Sequence, residues 1–218
     1  MLGISKSVVR ITAALAMTGI VASGVALAQR PATPAGQTPA AQGGRGPAVP
    51  PLLMTTTAFE DGSVIPDKYT QQVQAAVSPE LKWSQVPPGT QSFVLLLHDP
   101  EPILNKSSKM DITHWLVWNI PATSTGLAEG ALKNGQQPDG TRQLSLRSDA
   151  YMGPGAAASG PYHHYTFELY ALDTKIDVPQ PQGAINNQVA ADTRNAVIDA
   201  MDGHVIGKAV LVGRFHRH

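Results

Sequence analysis

The sequence predicts an all-β fold, a sandwich of antiparallel strands with one helix packed on it late in the chain. Three observations predict it: four segments with strand-type hydrophobic patterning, turn residues between them, and a single stretch of helical spacing. Phe93 to His98 is an apolar run of strand length. Ile112 to Ile120 alternates, and the alternation sets His114, Leu116 and Trp118 on one face. Tyr165 to Leu172 alternates as well, with Tyr165, Phe167, Leu169 and Ala171 on one side. Val205 to Phe215 is a further strand, broken by glycine. Turns are expected at Pro87-Pro88-Gly89, Asn134-Gly135, Asp139-Gly140 and from Pro179 to Gly183. Only Asn187 to Met201 reads as helix: Val189, Val197, Ala200 and Met201 share a face, and Gly203 supplies the stop. Trp83, Trp115 and Trp118 are expected in the core, where rings of that size bury the most area.

Composition narrows the function. Sixteen basic side chains balance 16 acidic ones, and charged residues make up only 15% of the chain. Without a positive field to gather phosphate backbones, nucleic-acid binding is not expected. The absence of cysteine excludes disulfide scaffolds, thiolate zinc sites, iron–sulfur clusters and cysteine nucleophiles. No G-x-S-x-G elbow, S-x-x-K pair, H-E-x-x-H helix or Walker loop occurs. Gly153-Pro154-Gly155 begins a dinucleotide-type pattern, but Ala158 stands where its third glycine belongs. The expectation is a protein without cofactor and without enzymatic activity.

The chain divides into three parts. Residues 1–28 carry Lys6 and Arg10, then an apolar run, then Ala26-Leu27-Ala28, the pattern of a cleaved secretory signal peptide. Residues 29–51 are dominated by Pro, Ala and Gly and read as a disordered linker. Residues 52–218 form the folded domain. Cleavage would leave 14 basic against 16 acidic side chains and no stable membrane anchor. Secretion without cysteine points to a periplasmic or secreted location in a bacterium.

One constellation carries chemistry. Asp99 and Glu101 follow the first apolar run, His114 lies within the next strand, and Gly153 and Gly155 precede His163 and Tyr165. A carboxylate beside an imidazole fixes its tautomer and favours its cation, and glycine N–H groups on an unencumbered loop add donors. Together these residue types make a receptor for a small oxyanion. His98, His164, His204, His216 and His218 read as surface or tail residues.

The order of motifs resembles the phosphatidylethanolamine-binding protein family, in its bacterial Raf kinase inhibitor-like (YbhB/YbcL-type) branch. The resemblance runs through Ser78-Pro79-Glu80-Leu81-Lys82-Trp83, Pro87-Pro88-Gly89-Thr90, Asp99-Pro100-Glu101 and His114-Trp115-Leu116-Val117-Trp118-Asn119. It continues through Tyr151-Met152-Gly153-Pro154-Gly155, His163-His164-Tyr165 and Gly203-His204-Val205-Ile206-Gly207, and so spans about Phe59 to Phe215. It implies a Greek-key sandwich of two antiparallel sheets with an anion pocket at one end. It also implies that Asp99, His114, Gly155 and His163 line that pocket, with Tyr165 beside them and Glu101 at the family's second motif aspartate. Three departures from the family pattern stand out. Glu101 is one methylene longer than aspartate, and Ala156-Ala157-Ala158 replaces a proline-rich loop, which predicts a softer rim. His164 stands where the family carries arginine, which removes a permanent cation.

Three functional classes follow. The first is a binding protein for a small anionic ligand or phospholipid headgroup, through protonated His114 and His163, the Gly155 N–H and Asp99. The second is a protein-interaction module of the kinase- or protease-inhibitor kind, meeting its protein partner through the Asn134 to Arg147 loop. The third is a metal-assisted hydrolase using Asp99, Glu101, His114 and His163. Oligomeric state is not legible.

Overall fold

A computed structural model describes residues 50–104, 111–132 and 135–218. The expected signal peptide, all but the last residues of the expected linker, and Asn134 of the expected turn lie outside the described residues.

The elements in order are β1 (Leu53–Thr55), β2 (Leu81–Ser84), β3 (Ser92–Asp99), β4 (Ile112–Pro121), β5 (Gly126–Leu127), β6 (Arg142–Leu144), β7 (His163–Leu172), α1 (Asn187–Met201) and β8 (Val205–Phe215). Short 3₁₀ turns occupy Asp67–Tyr69 and Glu101–Leu104. All ladders are antiparallel and form two sheets, β1-β2-β5 and β6-β4-β3-β7-β8. The expected fold class, mostly β with one late helix, is the observed one.

Strand β3 sits at the centre of the larger sheet and is covered on both faces, which is why it reads as an unbroken apolar run rather than an alternation. Its residues Phe93, Leu95 and Leu97 point between the sheets, where they meet Trp83, Trp115, Tyr165 and Phe167. Val94 and Leu96 point the other way, into a second core with Leu116, Trp118, Ile176, Val178 and the Ala190, Val197 and Met201 face of α1. All three tryptophans are buried. Asn186 caps α1, its carboxamide oxygen accepting the N–H groups of Gln188 and Val189 at 3.0 Å each. Gly203, at φ 77°, ends the helix where its pattern predicts.

One alternation read in the sequence is broken in the strand. Leu97 pairs with Trp115 and His98 with Thr113, so His114 is an extra residue in β4. Such a bulge re-aims its side chain. His114 therefore does not share the helix-facing side of Leu116 and Trp118. It turns to Tyr165, with ring centroids 5.1 Å apart and the rings nearly perpendicular.

Candidate functional site

The inward-facing residues at the ends of β3 and β7 gather at one edge of the core. His98 pairs with Thr166, which brings Asp99 alongside the Tyr165 and His163 end of β7. Asp99 is 2% exposed. Its Oδ2 accepts Nδ1–H of His163 at 2.8 Å, and its Oδ1 accepts the Glu101 backbone N–H at 3.1 Å. Burial raises the Asp99 pKa above the ordinary aspartate value, against the pull of the His163 bond.

His114 is held differently. Its Nδ1 lies 3.1 Å from the Met152 carbonyl and 3.0 Å from the Gly153 carbonyl, and since carbonyls only accept, Nδ1 carries the proton. Burial pushes its pKa down to about 4, against those two bonds. His114 is therefore neutral at physiological pH, not the cation expected from the sequence. Its Nε2, left with a lone pair, is buried and has no partner among the described residues.

The glycine loop is built for close packing rather than for donation. A Cβ on Gly153 would stand 2.6 Å from the Tyr69 carbonyl oxygen and 2.8 Å from the Thr70 Cα. Only glycine lets these backbones meet. The Gly155 N–H, expected to face an anion, instead donates to the Tyr165 hydroxyl at 3.0 Å, and the Ala156 N–H joins it at 2.9 Å. Burial, followed by the Asp99 charge, keeps that phenol above its ordinary pKa. Further bonds hold the loop: Met152 N–H to the His114 carbonyl, Gln71 N–H to that of Pro154, and Arg217 N–H to that of Ala156. Of the Ala156-Ala157-Ala158 rim, Ala156 is held on both its N–H and its carbonyl.

A cavity of about 370 Å³ opens beside these groups. Asp99, His114, Gly155, His163 and Tyr165 line it, whereas Glu101 and Gly153 do not. Glu101 turns to His164, whose Nδ1 lies 2.6 Å from Oε1. Burial works against the Glu101 charge, but the His164 bonds carry its pKa below the ordinary glutamate value. His164 thus lies at the surface, as expected, and is paired there with Glu101. His98, expected at the surface, is instead largely covered: it bonds Asp111 at 2.6 Å beneath α1, where Arg194 grips the same carboxylate.

Two charged cavity residues, Arg147 and Arg217, are not among the site residues expected from the sequence. Arg217 donates from Nη2 to Gln71 Oε1 at 2.9 Å, and Gln71 Nε2 donates to the Gly153 carbonyl at 2.8 Å. Arg147 is exposed and has no ion pair among the described residues. These guanidiniums put permanent positive charge at a cavity that lacks an arginine at position 164. Asp99, Glu101 and His163 also place possible metal-ligand atoms within 4.8 Å of one another. His163 Nδ1 is already committed to Asp99 in that group, and His114 stands outside it.

The model of the family described as phosphatidylethanolamine-binding protein matches residues 55–216. The chain belongs to that family. Among relatives of the phosphatidylethanolamine-binding protein family, a UPF0098 protein of Methanothermobacter thermautotrophicus is 38% identical over 166 residues, covering 76% of this chain and 99% of its own. The crystal structure of a family homologue from Chlamydia trachomatis is 29% identical, with a TM-score of 0.54 over 77% of this chain and 99% of that one. Escherichia coli YbcL, 23% identical, shares the fold with a TM-score of 0.55 over 77% of this chain and 99% of its own. No helix among the described residues is long and apolar enough to cross a membrane.

Proposed function

We propose that the chain is a non-catalytic binding protein for a small phosphate-type anion, working in the periplasm or outside the cell. The observation that carries this is the pair of guanidiniums, Arg147 and Arg217, on a cavity of about 370 Å³ also lined by His163. A guanidinium is always charged and presents planar forked donors that match phosphate oxygens. His163 adds its Nε2–H when protonated, while Asp99 fixes its ring through Nδ1. Asp99 and the neutral His114 shape the acceptor part of the cavity. The volume lies at the small end for ligand sites, which suits a headgroup or free ion rather than a polymer.

The location rests on the signal-like residues 1–28, and the non-catalytic reading on the sequence, which carries none of the catalytic signature motifs sought in it. The second reading, a protein contact through the loop ending at Arg147, loses ground because Thr141, Gln143, Leu144 and Ser145 are buried. The test is equilibrium titration with inorganic phosphate of the native chain and of His163→Ala. Saturable binding weakened in the variant supports the proposal; no saturable binding by the native chain rejects it.

A further inference from the structure

The donors and acceptors of this cavity are unequally spent. The Gly155 and Ala156 N–H groups are consumed by Tyr165, so the available donors are Arg147, Arg217 and, in the imidazolium form only, His163 Nε2. The acceptors are the Asp99 carboxylate, nearly fully buried, and the His114 ring, whose Nδ1–H is fixed on two carbonyls and whose Nε2 is unpartnered. Asp99 Oδ1 takes the Glu101 N–H and Oδ2 that of His163, the Tyr165 hydroxyl also lies against this carboxylate, and of its four lone-pair sites capacity still remains. The charged and titratable groups packed around them are His98 and Glu101 next to Asp99 on the chain, His163 and Tyr165 from β7, and the two arginines.

A fully deprotonated oxyanion placed here meets guanidiniums with some of its oxygens and a carboxylate with another. That last contact sets lone pair against lone pair and like charge against like. One acid proton on the ligand turns it into a hydrogen bond. We infer that the cavity selects an oxyanion that carries its own proton, such as hydrogenphosphate or a phosphate monoester monoanion, over sulfate and over phosphodiesters. The inference rests on the anion-binding reading and deepens it. A monoester keeps an acid proton up to its second pKa near 6, whereas sulfate and diesters have none to offer at neutral pH.

The test compares inorganic phosphate with sulfate on the native chain, by calorimetry at one pH near 6 and one ionic strength. Phosphate is expected to bind at least about tenfold more tightly, the effect of leaving one buried acceptor unmatched. Asp99→Asn and His114→Gln supply a second arm, since each carboxamide can turn a donor to the ligand. At least one of them is expected to narrow the ratio to under about threefold. Equal affinities in the native chain, or a ratio unchanged in both variants, overturn the proton requirement while anion binding stands. Binding of neither ion overturns the anion reading and this inference together.

Discussion

Arg217 Nη2 donates to Gln71 Oε1 at 2.9 Å, and this bond sets where the cavity finds a permanent cation. Gln71 is itself tied to the Gly153 carbonyl, which also accepts from His114. A residue beyond β8 is thus linked through two side chains to the bulge of β4. The positive charge missing at position 164 is supplied from a distant part of the sequence.

Gln71→Ala should therefore weaken phosphate binding without removing any charge from the site. A loss of about three- to tenfold is expected, the scale of one ordinary net hydrogen bond, because the lost bond positions Arg217 rather than touching the ligand. Titration of the variant beside the native chain measures it, and an unchanged affinity would show that Arg217 does not need Gln71.

Gly153→Ala should destabilise the domain. The new methyl would lie within 3.0 Å of three backbone atoms of Tyr69 and Thr70, none of which can swing aside. A cost of about 1–3 kcal/mol is expected from overpacking of this kind. Urea unfolding reads the cost, as a lower midpoint with unchanged slope.

Acid should weaken the fold through His114. Its pKa falls from 6.5 to about 4 on folding, so between these values the unfolded chain holds more protons than the folded one. Stability then falls as pH drops below about 6.5, by about 2 kcal/mol at pH 5 and about 3 kcal/mol once pH is below 4. The comparison with His114→Gln isolates this residue: the variant should lose the corresponding part of the slope between pH 7 and 5.

Arg194→Met should uncover the cost of an unpaired carboxylate beneath α1. Asp111 is held below its ordinary pKa; burial opposes the charge, but bonds from His98 and Arg194 more than offset it. Because that shift is downward, the pair stabilises above about pH 4 and its contribution fades as pH falls further. A loss of about 1–3 kcal/mol at pH 7 is expected, allowing for the partial exposure of both partners. Thermal unfolding of the two proteins at pH 7 and pH 3 checks both the size and the sign.

The elements with long hydrophobic patterns were legible: β3, β4, β7, β8 and α1 stand where the sequence reading puts them. The strands β1, β2, β5 and β6 were not, because two to four residues carry too little periodicity to distinguish a strand from a loop. For the site, the sequence named Asp99, His114, Gly155, His163 and Tyr165, and these do line one cavity. Their roles were less legible. A single bulge turned His114 away from its apparent face, and its burial removed the expected charge. The Tyr165 hydroxyl claimed the loop N–H groups, a pairing that depends on tertiary packing alone. Arg147 and Arg217 lie outside any repeating pattern. The one hint was electrostatic: an anion site with histidine at position 164 needs its cation from elsewhere.

The most direct measurement is calorimetric titration with inorganic phosphate of the native chain, Arg217→Ala and Arg217→Lys, under identical salt. If Arg217 supplies the cation for the anion, the native chain binds saturably, the alanine variant loses at least about tenfold, and lysine, which keeps the charge but not the fork, recovers part of it. Phosphate binding of equal strength in all three proteins would contradict it.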